Sequence, residues 1–254
     1  MFFSMGTATL VLVLALMVGG AAAVGAMVGR AVRSRTDAHQ ESVGVIQATL
    51  LGLVGLLLAF GLTMAVGRYD NRRAILVQEA NDIGTTYLRA QLLAEPGRSS
   101  SLDLLRPYAD QAVNLADQVP DSRGFTDAAA RMTDLQRELW TVATDAVHAD
   151  PTGTAPRLYV ESLNAMIDSH TDRVTSLHNR VPGTVVLLQV LGSTVAVGVL
   201  SLYLALLGRG LVTSLVAATV VILIVFISMD LDRPHRGLIT VPDSALVGVR
   251  QAMD

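Results

Sequence analysis

The pattern of apolar and polar positions changes character once, without interruption, between residues 50 and 89. From Leu50 to Val66 the chain is uncharged and rich in Leu, Gly and Ala. Beyond Arg68, charges collect at Arg72, Arg73, Glu79, Asp82 and Arg89. Over the same stretch Leu76, Ala80, Ile83, Tyr87 and Leu88 continue an apolar stripe at spacings of three and four. No proline occurs before Pro96. The pattern predicts one helix that leaves a bilayer near Val66 and packs on other helices outside it.

Three more apolar runs are long enough to cross a hydrocarbon core of about 30 Å at 1.5 Å per residue. The first covers residues 7–28. A cleaved signal peptide is the rival reading, but no positive charge precedes Thr7, so an uncleaved span is expected. The second span is residues 44–66, within the long helix. Pro182 opens the third as a first-turn proline, and that span ends near Leu207. Gly208, Arg209 and Gly210 make a tight turn into the fourth, residues 211–229.

The polar block between the two pairs of spans reads as helical throughout. Glu95, Pro96 and Gly97 end the long helix. Ser100 with Asp103 forms a capping box for the next helix, which bends at Pro107 and runs to about Val119. After a break at residues 120–124, Ala128, Met132, Leu135, Leu139 and Val142 form an amphipathic stripe. Past a loop at 151–156, the last helix of the block carries Tyr159, Leu163, Met166, His170, Val174, Leu177 and Val181 on one face. No stretch alternates long enough for a strand. The expected fold is therefore an all-α membrane protein: four transmembrane helices in two hairpins with a helical extramembrane block between them. Its parts are a first hairpin (1–67), the helical domain (68–181), a second hairpin (182–229) and a C-terminal segment (230–254).

Composition narrows the function. Charged residues make up 16% of the chain and hydrophobic ones 51%, which suits a bilayer and not a purely soluble domain. A net charge of −3 gives no reason to expect nucleic acid as a partner. Cysteine is absent, so disulfides, thiolate metal sites and cysteine nucleophiles are excluded. No phosphate-cradling glycine loop, nucleophile elbow or paired metal-ligand motif occurs, so no enzyme, metal or cofactor is expected. The spans carry Gln47, Thr63, Gln189 and Tyr203 but no charged side chain, which argues against an intramembrane enzyme and a proton-coupled transporter. Arg68, Arg72, Arg73, Arg173, Arg180, Arg233, Arg236 and Arg250 lie on the side of the polar block, against Arg30, Arg33, Arg35 and Arg209 on the other. Taken alone, the first hairpin loop votes the other way, but the whole count places the helical domain in the cytoplasm of a plasma (inner) membrane protein.

At this point the residues resemble a family. The run from Phe60 to Arg73 (FGLTMAVGRYDNRR), the run from Glu79 to Arg89 (EANDIGTTYLR), Leu163 to His170 with Arg173, and Asp230-Leu-Asp-Arg-Pro234 with Gly237 are similar to the bestrophin-like membrane proteins of bacteria and plants. The resemblance runs from about residue 44 to the end. A fainter one reaches the bestrophins proper, which are homopentameric anion channels. It implies a homo-oligomer, a pentamer if it follows them, that conducts inorganic, chloride-type anions through a neck lined by Gly52, Leu56 and Phe60. The chain departs from that pattern at Leu56 and Asp70, where bestrophins place aromatics, and it lacks the long acidic run of the calcium-gated members.

Each candidate position also has a structural reading. Leu56 and Phe60, one turn apart, suit a hydrophobic constriction that excludes water, and suit lipid contact or helix packing equally well. Arg68, Arg72 and Arg73 suit anion attraction at a pore mouth, or anchoring at headgroups. Glu79 and Arg89, with Asp230, Asp232 and Arg233, are expected to form structural ion pairs. A divalent cation between Asp230 and Asp232 lacks enough ligands. His170, on an apolar face, is expected to be a core histidine with its hydrogen bonds satisfied. The second functional reading is a non-conducting membrane scaffold whose helical domain recruits a partner.

Overall fold

The computed structural model describes residues 6–33, 40–208, 211–233 and 237–254. The described residues are helical, with no strand among them. Helix α1 (Thr7–Leu14) passes through a π-helical turn at Ala15–Gly19 into α2 (Gly20–Val32). Then come α3 (Gln40–Ala90), α4 (Gly97–Asp117), α5 (Arg123–Ala149), α6 (Thr154–His178), α7 (Gly183–Leu206), α8 (Leu211–Leu231) and α9 (Ser244–Gln251). Four stretches are long and apolar enough to cross a membrane: α1 with α2, the first part of α3, α7 and α8. The expected turn at Arg209 and Gly210, and residues 234–236 of the segment after the fourth span, lie outside the described residues.

The chain divides into two units, Met1–Arg68 with Arg180–Ile239 and Tyr69–Asn179 with Thr240–Asp254. In the first, Leu10, Leu14, Val54, Leu58, Val186, Val190, Val225 and Met229 form the core. Lipid tails are as apolar as these side chains, so close packing rather than water exclusion must hold the helices together. Small residues allow it. A Cβ on Gly25 would collide with the backbone carbonyl of Gly198, and one on Gly29 would lie 2.6 Å from that of Leu202, so α2 and α7 touch backbone to backbone. Thr49, Thr63 and Thr219 return their hydroxyls to carbonyls four residues back, which leaves no donor open to lipid there.

In the second unit, the apolar faces of α4, α5 and α6 close on that of α3 around Ile83, Leu105, Tyr108, Leu115, Met132, Leu139, Leu163 and Met166. Ser122 caps α5 by accepting from the Phe125 N–H at 3.1 Å. Three expectations shift. The capping box at Ser100 and Asp103 does not form, because α4 starts at Gly97. There the Glu95 carboxylate accepts from the Ser99 N–H at 3.2 Å, and Asp103 pairs with Arg106 instead. Pro182 is the residue before α7, with its carbonyl accepting from Val185 and Val186, and not a residue of the first turn. The C-terminal segment contains α9, which the sequence reading left as tail. Leu246 and Met253 are buried, and Tyr87 and Arg106 both donate to the Met253 carbonyl.

The α2–α7 contact yields a test. Gly25→Val is expected to lower stability by about 1–3 kcal/mol, because two backbones must separate to admit the side chain. Gly20→Ala, whose Cβ would meet nothing within 4 Å, should leave thermal unfolding in detergent unchanged.

Candidate functional site

Helix α3 carries most of the candidate positions, and its buried residues fix which way each of them faces. Val54, Leu58, Gly61 and Ala65 are buried along one side of its apolar part. Gly61 leaves room for the Gln189 amide of α7, which donates to the Leu57 carbonyl at 3.3 Å; a Cβ at residue 61 would collide with that amide. Gln189 is buried, so this bond satisfies a polar group that a membrane interior would otherwise penalise. On the opposite side Leu56 is 56% and Phe60 61% exposed. Gly52, one turn before Leu56, faces open space. These three share one face, free of every other described helix of the chain.

The three arginines past the apolar run are placed differently from one another. Arg72 is only 4% exposed and closes the C-terminal end of α6, donating to the Asn179 carbonyl at 2.9 Å and the Ser176 carbonyl at 3.4 Å. A cation belongs at that end of a helix, where the unsatisfied carbonyls and the dipole are negative. Its expected place among anion-attracting residues is therefore corrected: its charge is used inside the fold. Arg68 is half-buried, and Arg73 is exposed.

Glu79 lies at the centre of the second unit, fully buried. Its carboxylate accepts from Arg173 of α6 at 2.6 Å and lies 3.0 Å from Nδ1 of His170. An ionised carboxylate only accepts, so Nδ1 carries the proton in that bond. Arg173 also donates to the Ala112 carbonyl of α4 at 3.1 Å. The Tyr108 ring meets that of His170 edge-on, and Gln136 of α5 donates to the Tyr108 hydroxyl at 3.1 Å. All four helices of the unit thus meet in one polar network. Sequence reading singled out Glu79 and His170 but not their link, because spacing along a chain does not reveal contacts 91 and 94 residues apart.

The remaining candidates have local partners. Arg89 donates to the Leu158 carbonyl at 2.9 Å and lies 3.8 Å from Glu161. Asp230 accepts from the backbone N–H groups of Leu238 and Ile239, and Asp232 from that of Val181. Arg233 is buried. Among the described residues no group of three or more His, Asp or Glu side chains is placed to hold a metal.

These features define a multi-pass, all-helical membrane protein with an apolar face of its longest helix left open. A family model described as the bestrophin-like domain matches residues 10–246, and the chain belongs to the bestrophin-like family. The fold is similar to that in the crystal structure of a bacterial bestrophin homolog from Klebsiella pneumoniae carrying a tyrosine-to-alanine mutation. The two share 12% identity at a TM-score of 0.66, over 93% of this chain and 97% of that one. Comparison with curated proteins finds no match.

Two tests follow from the buried network. Glu79→Ala strands a guanidinium in the core and is expected to cost about 3–5 kcal/mol in chemical denaturation. The Tyr108 hydroxyl is held well above its ordinary value, first by burial and then by the Glu79 carboxylate. Its folded form keeps the proton more tightly than the unfolded chain. That contribution is therefore complete below about pH 10, the ordinary tyrosine range, and is lost as pH rises beyond it. Tyr108→Phe should flatten this alkaline loss while lowering stability at neutral pH by about 1 kcal/mol, through the missing partner of Gln136.

Proposed function

We propose that the chain is one subunit of an oligomeric ion channel of bestrophin type, with Gly52, Leu56 and Phe60 forming a hydrophobic neck. The observation that carries this reading is the pairing on α3 of one face buried against its neighbours with an opposite face on which Leu56 and Phe60 stand exposed, one turn apart. A symmetric ring of such faces makes a narrow apolar constriction, which gates by expelling water. Family membership supports the same reading.

In this proposal the subunits are identical and the α4–α6 domain is cytoplasmic, on the arginine count, in a plasma (inner) membrane. The bestrophin resemblance makes chloride-type anions the first permeant class to test. Among the arginines expected to draw them in, exposed Arg73 gives the most direct support, with half-buried Arg68 beside it.

Phe60→Ala removes bulk from the neck and is expected to raise conductance several-fold in reconstituted bilayers, since a wider constriction admits water. If wild type and Phe60→Ala are both silent as folded, assembled protein, the neck reading fails and a non-conducting scaffold replaces it.

A further inference from the structure

The neck reading has a consequence for the charge of the permeant ion, and the inference below rests on that reading. At about 100° per residue, the buried residues Val54, Leu58, Gly61, Ala65, Arg72, Leu76, Glu79 and Ile83 all fall roughly 140–200° from Leu56 around the helix axis. The helix therefore holds one phase along this whole length, with no slip where it turns polar. On that phase Phe60, Thr63, Gly67, Asp70, Ala74 and Gln78 lie within about 40° of Leu56, and all six are exposed. Asp70 is the single charged residue among them. Arg73 lies about 100° away, Arg68 about 120° and Arg72 about 160°.

An ion leaving the neck along this face thus meets a carboxylate before any arginine. Asp70 follows Phe60 by ten residues, or about 15 Å of helix. In a symmetric ring each subunit adds one such charge at the same height, and like charges lining a low-dielectric wall sum into one field. The arginines do not cancel it: Arg72 is committed to the end of α6, and Arg73 points round the side of the helix. Gly67, one turn before, has open space about it, which leaves the carboxylate unshielded on the neck side.

We infer that Asp70 is the charge-selectivity residue of the pore, and that it admits small monovalent cations in competition with anions. The test measures reversal potential in a potassium chloride gradient, with full-length protein in planar bilayers and Phe60→Ala as a second background in case wild-type current is small. The expected wild-type value lies between the anion and cation equilibrium potentials. Asp70→Asn should raise the anion-to-cation permeability ratio at least about threefold, as loss of a focused ring of charge predicts. Asp70→Glu keeps the charge and should leave the ratio unchanged, whereas Arg73→Gln should shift it less and in the opposite direction.

A conducting protein whose ratio is the same in Asp70→Asn as in wild type overturns the inference and leaves the neck standing. An equal shift in Asp70→Glu overturns it too, because a packing role would then be moving the potential. Absence of current in every variant, in assembled protein, overturns both.

Discussion

Because α3 keeps its hydrogen-bond ladder from Gln40 to Ala90, a residue's position along it fixes which way that residue faces. At 1.5 Å per residue the helix is about 75 Å long, far more than a bilayer core, so the same rod serves two environments. Its buried side is secured separately in each. In the membrane-spanning unit, Gly61 admits Gln189, whose amide bonds to the α3 backbone. In the helical unit, Glu79 takes hydrogen bonds from Arg173 and His170. With one side held at both ends, the other side has a defined direction, and every assignment made to the neck follows from it.

The two fastenings rely on different physics. Apolar burial gains little between helices already in lipid, so the membrane-spanning unit uses glycine contacts and one buried amide. The helical unit has a conventional apolar core, and its buried charges must be fully paired to be tolerable there. Glu79 meets that demand by drawing on α6, while α4 supplies the carbonyl that takes up Arg173. Such a network specifies a single arrangement of four helices more than it adds net stability. The docking of α9, with Arg250 between Asp110 and Asp254, then fastens the C-terminus to the same unit.

Much of this was legible in the sequence. The spans, the unbroken α3 and the stripe beginning at Ala128 follow from periodicity, which depends only on neighbours three and four residues apart. His170 was readable as a core residue from its place on an apolar face. What was not readable depends on distant partners or on small local contests. Arg72 and Arg73 are adjacent and chemically identical, yet one is buried and the other exposed, because only one falls in phase with the packed side. The start of α4 was settled by a Glu95 carboxylate that reaches Ser99 before any box at Ser100 can form. Helix α9 is eight residues long, too short to announce itself without the groove it occupies.

The central claim is that the exposed side of α3 faces water in the assembled protein, and not lipid. The chain has no cysteine, so single cysteines can be introduced along α3 and read against a silent background. The most direct measurement is the rate of modification by a charged, membrane-impermeant thiol reagent in proteoliposomes, for cysteines at Gly52, Thr63 and Gly67 against Val54, Leu58 and Ala65. The account predicts fast modification for the first set and protection of the second. Equal protection of both sets would place the exposed side in lipid or in a sealed contact, and would contradict it.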